Sequence, residues 1–199
     1  YGGNLQDCPN NSNIETLVLE SFLTEKKGYS LSIASKAINE LKKAASMVAT
    51  DDLYPINKAV YHLLRYGVKV RIDVSENHQT VHFIDWENPE NNEFFYAEEV
   101  TVKDKKEKRP DIVLYVNGIA LVVFELKRAS VNVTEGIRQN LDNQSDRFIK
   151  PFFSTMQLVL AGNDTQGLWY GTTKTPEKFF LKWKEDNYTH DPNTNLLDQ

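Results

Sequence analysis

Arg109-Pro110-Asp111-Ile112-Val113-Leu114-Tyr115-Val116-Asn117-Gly118-Ile119-Ala120-Leu121-Val122-Val123-Phe124-Glu125-Leu126-Lys127 is the most apolar run of the chain. It is broken once, by Asn117-Gly118, the strongest short hairpin signal. β-Branched and aromatic residues dominate both arms, which predicts two antiparallel strands buried on at least one face. Three ionisable residues sit where a buried strand tolerates them least. Asp111 opens the first strand, and Glu125 and Lys127 close the second. Bringing an uncompensated charge toward low dielectric costs several kcal/mol, so a sequence that keeps such residues there has a reason to do so.

Alternation places Glu125 and Lys127 on one face of the second strand. Whether Asp111 joins them depends on the turn. A two-residue Asn-Gly turn pairs Asp111 with Phe124 and sends Glu125 to the opposite face. An odd loop, Val116-Asn117-Gly118 with a left-handed glycine, pairs Asp111 with Val123 and gathers all three on one side. The odd loop is the expectation. Two carboxylates side by side suit a hard divalent cation such as Mg2+, which polarises a phosphate and lowers the pKa of a bound water. A lysine beside them supplies positive charge to the transition state. The acid-x-Lys triplet recurs at Glu25-Lys26-Lys27, Glu40-Leu41-Lys42 and Asp104-Lys105-Lys106, but only the one at 125 ends an apolar strand, and Pro110-Asp111 is the only Pro-Asp pair. The plainer alternative is an ordinary hairpin whose end charges pair with each other in solvent.

The pattern Arg-Pro-Asp, apolar strand, Asn-Gly, apolar strand, Glu-Leu-Lys resembles the amino-terminal nuclease domain of the restriction (R) subunit of type I restriction–modification enzymes. That domain is of the PD-(D/E)xK type. Further segments are similar to it: Leu64-Arg-Tyr-Gly-Val68, Ile84-Asp-Trp-Glu-Asn-Pro-Glu-Asn-Asn92, Ile137-Arg-Gln-Asn140, Leu160-Ala-Gly-Asn-Asp164, Tyr170-Gly-Thr-Thr and Trp183. The resemblance runs from about Glu15 to Trp183. It implies a metal held by Asp111, Glu125 and the Leu126 carbonyl, with Mg2+ as the ion and Mn2+ as a substitute, and a catalytic Lys127. It also implies double-stranded DNA as substrate, specificity and modification (methyltransferase) subunits as partners, and the cytoplasm as location. Enzymes similar to this family often carry Gln-x-x-x-Tyr after the catalytic strand. Here Gln139 matches and Asn143 stands where the tyrosine would be. The family's ATP-driven motor lies outside this sequence, which contains no Gly-x4-Gly-Lys-Ser/Thr phosphate loop.

The 199 residues, 40% hydrophobic and 11% aromatic, suffice for one good core with a helical annex. The one cysteine, Cys8, excludes an internal disulfide and a cysteine-built metal site, which suits a reducing compartment. No apolar run approaches the roughly 18 residues of a membrane span, and no signal-peptide layout opens the sequence. A net charge of -5 argues against a protein that coats DNA generically.

Along the chain, residues 1–13 read as a loose lead-in. Three helices follow: Ile14–Lys27, buried through Ile14, Leu17, Val18 and Phe22; Ser32–Val48; and about Asp52–Tyr66, with Val60, Tyr61 and Leu64 inward. Strands are predicted at Val68–Val74, Thr80–Trp86 and Phe94–Val102, then the charged run Lys103–Arg109, either a solvated loop or a guide for a phosphate backbone. His78 and His82 lack ligand spacing, and Glu98 and Glu99 are candidates for a further acid. Thr134–Ile149 is predicted as a helix capped by Thr134, followed by strands at Gln157–Ala161 and Leu168–Thr172. The expected fold is therefore α/β, with a mixed central sheet flanked by helices (restriction-endonuclease-like). The division expected is an amino-terminal helical region over residues 1–66, a nuclease core over 67–185 and a polar tail over 186–199. The expected activity is Mg2+-dependent hydrolysis of DNA phosphodiesters without sequence choice of its own. The alternatives are a non-catalytic module of the same fold that docks DNA or partner subunits and, less well supported, another phosphate-ester hydrolase.

Overall fold

The computed structural model describes residues 12–47, 50, 52–71 and 77–184. The start of the lead-in with Cys8, the last residue of the expected second helix, the end of the expected first strand and the tail from 185 onward lie outside the described residues.

The first helix, α1 (Thr16–Ser21), runs into a wider π turn over Phe22–Lys26 and stops at Gly28, whose φ is +72°. Its buried stripe is Leu19, Phe22 and Leu23, whereas Leu17, expected inside, is 76% exposed. Leu17 lies two residues, or about 200°, from Leu19 around the helix and so faces solvent. Ser30 caps α2 (Leu31–Ala44) by accepting the Ile33 N–H, and Asp52 caps α3 (Leu53–Tyr66) by accepting that of Tyr54. Tyr61 of α3 is also outside, at 47% exposure, while Val60 and Leu64 are buried. These helices enclose one core with the small hairpin β1 (Val68–Val70) and β2 (Gln79–Val81) and with Phe83 and Ile119.

The main sheet has six strands, formed by β3 (Phe94–Glu98), β6 (Ile112–Val116), β7 (Ile119–Leu126), β8 (Leu158–Asn163), β9 (Gly167–Gly171) and β10 (Leu181–Lys182). Their spatial order is β10-β9-β8-β7-β6-β3. Among the described residues only β7 and β8 run parallel, joined across one face by α4 (Val133–Asn143); every other pair of this sheet is antiparallel. Between β3 and β6 the charged run folds into a two-rung hairpin, β4 (Val102–Lys103) and β5 (Glu107–Lys108), instead of an open loop. The α4 face of the sheet buries Val113, Val123 and Val159 against Val133, Ile137 and Phe153. The result is an α/β fold: a mixed sheet flanked by helices, with an amino-terminal helical region. Asn132, not Thr134, caps α4. The helix ends at Asn143 and the chain continues to a 3-10 turn at Lys150–Ser154.

The β6–β7 hairpin differs from expectation in one respect that matters for the site. Its turn has two residues, Asn117 (φ 52°) and Gly118 (φ 82°), between paired Val116 and Ile119. The odd residue is in the strand. Tyr115 faces Ala120 but Leu114 faces Val122, so Leu121 bulges out of the ladder. With Ile112 opposite Phe124, the next step places Asp111 opposite Glu125 and not Val123. The parity matches the odd-loop expectation, by a different device.

Asn117 pins this turn. Its amide Nδ2 donates to the Phe83 carbonyl and to Asn92 Oδ1, both at 2.8 Å, and its Oδ1 accepts the Glu93 N–H at 2.7 Å. Gly118 lets helix α1 approach: a Cβ there would lie 2.8 Å from the Glu15 carbonyl oxygen. The segment 84–92 completes the brace. Asp85 accepts from the Asn88 N–H, from Asn91 and from Lys27 at 3.0–3.1 Å, and these donors hold its carboxyl well below the usual carboxylate range. Asn117→Ala removes the donor to the Phe83 carbonyl, the acceptor of the Glu93 N–H and one of two donors to Asn92 Oδ1, and the fold is expected to lose about 2 kcal/mol, read from the urea midpoint. An unchanged midpoint would mean that the turn is held elsewhere.

Candidate active site

The site is built where β6 begins and β7 ends. Asp111 stands just before β6, Glu125 and Leu126 are the last residues of β7, and Lys127 follows. The Leu126 N–H donates to Asp111 Oδ2 at 2.6 Å, which ties the two strand ends together. Beyond the strand, the Lys127 N–H donates to the Gly162 carbonyl at 2.9 Å and keeps the backbone extended along β8. Glu125 therefore shares the α4 side of the sheet with Val123, and Asp111 with Val113.

Helix α4 closes over this end. It comes close because Gly136 has no side chain: a Cβ there would lie 3.1 Å from Ala161 Cβ and 3.3 Å from the Glu125 carbonyl oxygen. One turn later Gln139 meets Lys127, whose Nζ donates to Gln139 Oε1 at 2.6 Å. The same ammonium is 3.6 Å from Glu125 Oε2. Gly136→Val forces α4 away from β7. The expected cost is about 2 kcal/mol of stability in denaturant titration, with loss of the Lys127–Gln139 contact. A midpoint equal to the parent's would show that the helix has room to shift.

Glu125 is the unusual residue. Its side chain has no exposed surface, and neither carboxyl oxygen has a hydrogen-bond partner. Lys127 lies just beyond hydrogen-bond distance. Burial pushes the Glu125 carboxyl up from 4.5 to about 7, the Asp111 charge adds to the rise, and Lys127 opposes it. Two unsatisfied, buried carboxylate oxygens opposite a second carboxylate are a poor structural choice and a good donor set for a hard cation, so these residues fit a divalent ion.

The other sequence candidates are not brought here. Glu25, Glu40 and Asp104, which open the competing triplets, are all exposed. Glu98 pairs with Ile112 and so belongs to the face away from Asp111. Glu99 donates its N–H to the Asp111 carbonyl, but its carboxylate lies 3.4 Å from Arg109 in solvent. His78 and His82 are exposed. Among the described residues no group of three or more His, Cys, Asp or Glu is placed to hold a metal, so the acids of this site are the two of the hairpin. Asn143, at the tyrosine position of the resembled motif, is buried, with its Oδ1 unpartnered. Sequence reasoning singled out Gln139 but not its contact with Lys127, and it passed over Gly136; a glycine inside a helical pattern was the available signal. A concavity of about 980 Å3, lined by residues such as Lys42, Met47 and Phe152, lies away from these carboxylates. The candidate site is assigned to the carboxylates, because the buried Glu125 oxygens lack hydrogen-bond partners.

A carboxylate pair and a lysine thus meet at adjacent strand ends, on a mixed sheet backed by one helix. The chain belongs to the type I restriction enzyme R protein N-terminus family, which matches residues 2–178. It is similar to the type I restriction enzyme HindI endonuclease subunit of Haemophilus influenzae, 28% identical over 159 residues, covering 76% of this chain and 15% of the relative. It is also similar to two putative type I restriction enzyme endonuclease subunits of Methanocaldococcus jannaschii. For MjaIXP the identity is 23%, covering 84% of this chain and 17% of that subunit. For MjaVIIP it is 34%, covering 52% and 10%. The chain thus spans less than a fifth of the length of these relatives. Among the described residues no helix is long and apolar enough to cross a membrane.

Proposed function

We propose that this chain is the DNA-cutting portion of a type I restriction subunit, a PD-(D/E)xK endonuclease that hydrolyses phosphodiesters of double-stranded DNA without reading sequence. The observation that carries the reading is Glu125, wholly buried, without hydrogen-bond partners and opposite Asp111. Asp111, Glu125 and the Leu126 carbonyl would hold Mg2+, or Mn2+ in its place; when bound, the ion supplies positive charge to the phosphate and lowers the pKa of the attacking water. Lys127 places a second positive charge beside Glu125, where the phosphate accumulates negative charge during attack. Gln139 accepts from the lysine and limits where its ammonium can point. Sequence choice would come from the specificity and modification subunits, and ATP would be used by the motor of the longer subunit.

A docking module of the same fold has no need of a buried, unsatisfied carboxylate beside a positioned lysine. The test is incubation of supercoiled plasmid with the chain and Mg2+, alone and within the assembled restriction enzyme. Chelator and Asp111→Ala serve as controls. Metal-dependent cutting lost in Asp111→Ala supports the reading. Cutting that survives the substitution, or an assembled enzyme that does not cut at all, overturns it.

A further inference from the structure

Away from the carboxylates, three cations gather around one ring. Lys108 Nζ is 4.1 Å from the Phe148 ring centroid, Lys106 Nζ 5.4 Å and the Arg147 guanidinium carbon 5.9 Å. A ring face attracts an exposed cation weakly, and three like charges around one ring repel each other. Nearby acids do not neutralise them: Glu107 is paired with Lys103, Glu99 with Arg109 and Asp146 with Lys150. Among the described residues, Lys106, Lys108 and Arg147 form no ion pair. Residues 103–109 carry five cations against two acids, in a chain whose net charge is -5. The run is a local excess of positive charge.

A short stretch of chain links that run to the site. Lys108 is three residues before Asp111, and three residues of chain span at most about 11 Å. Arg147 and Phe148 follow helix α4, which carries Gln139 to Lys127. Val102 of the hairpin and Ile149 beside Phe148 are buried in the same core, on the α4 side of the sheet. The platform is therefore anchored beneath, with Lys106 and Arg147 exposed and Lys108 and Phe148 half-buried.

We propose that Lys106, Lys108 and Arg147 form a clamp for the phosphate backbone of double-stranded DNA, holding the duplex beside Asp111, Glu125 and Lys127. The proposal rests on the nuclease reading and adds where the substrate is gripped. Contacts of this kind go to phosphates, so they add affinity without sequence preference. They also give binding a steep salt dependence, because each neutralised phosphate releases counterions.

The test measures binding of two unrelated fluorescein-labelled duplexes of about 30 base pairs to the intact chain, in chelator, across about 50–200 mM NaCl. Lys106→Gln/Lys108→Gln/Arg147→Gln is expected to weaken binding about tenfold or more. It should lower the slope of log K against log salt by about 2–3, equally for both duplexes, at roughly 0.9 per phosphate contact. Phe148→Leu, which removes the ring and keeps the charges, should leave the slope as in the parent. If the triple variant fails to fold, Lys106→Gln alone should lower the slope by about 1. Parent-like slopes in the charge variants, a loss confined to one duplex, or a parent chain that binds neither duplex overturns the clamp. Asp111→Ala, which removes plasmid cleavage, should keep the parent slope. A charge variant that binds like the parent therefore sinks the clamp alone. A parent that binds with the steep slope yet belongs to an enzyme that never cuts sinks the nuclease reading and leaves the DNA contact standing.

Discussion

Lys127→Ala is expected to slow DNA cleavage by on the order of 10²–10³-fold in the assembled enzyme, the range seen when one preorganised charge or donor is removed from a transition state. Its metal affinity should stay close to the parent's, because the lysine is not a ligand. The structure gives two reasons for a large effect. The ammonium is held on both sides, 2.6 Å from Gln139 Oε1 and 3.6 Å from Glu125 Oε2, so it needs no reorganisation when charge develops. The position is also only one-fifth exposed, which weakens screening by water. Single-turnover cleavage of plasmid, with Mn2+ titrated by calorimetry on both chains, separates the roles. Parent-like cleavage would remove Lys127 from the chemistry. Lost metal binding with lost cleavage would make it structural.

Glu125→Gln is expected to change how stability depends on pH, and its sign is unusual for an acid. The folded-state carboxyl is raised from 4.5 to about 7, chiefly by burial and then by the Asp111 charge. Between those values the native state keeps a proton that the unfolded chain has released. Stability is therefore fully present below about pH 4.5 and falls as the pH rises through about 7. The rise corresponds to roughly 3 kcal/mol at a site with no exposed surface. In chelator, the parent should thus lose up to about that much between pH 4.5 and pH 8, whereas Glu125→Gln, neutral throughout, should not. At pH 8 the variant should be the more stable of the two. A divalent ion narrows that gap: at 100 times its Kd it adds about 2.7 kcal/mol to the parent, and the variant loses most of that increment. Urea midpoints from pH 5 to 8, with chelator and with saturating Mn2+, give both readings. Identical pH profiles for the two chains would mean that Glu125 is not the strained group.

Much of this was legible because local patterns are decided by short-range physics. Asn-Gly between two β-branched runs defines a hairpin, since both residues accept positive φ. Gly28 and Gly67 end helices through backbone freedom at positive φ, and Asp52 begins one by accepting the Tyr54 N–H, all within a few residues. Charged residues at the ends of apolar strands marked the candidate site for the same reason, because their cost is a property of the strand they close. The helix errors came from burial that depends on partners. Leu17 and Tyr61 are apolar and helical, yet α1 and α3 turn other sides toward the core.

The sequence by itself determined the hairpin, its Asp, Glu and Lys, the mixed α/β order of elements and the resemblance to restriction subunits. Tertiary structure alone decided how those three residues meet. A two-residue turn would have split them, and the bulge at Leu121 restored their shared side. Nothing within the hairpin specifies that bulge. Asn117, held by Phe83, Asn92 and Glu93 from distant segments, forces the tight turn, and the α4-side core sets the register beyond it. The same holds for Gln139 on Lys127 and for three cations on Phe148. Each contact joins segments separated in sequence, and it forms only because burying both sheet and helix brings them to one place.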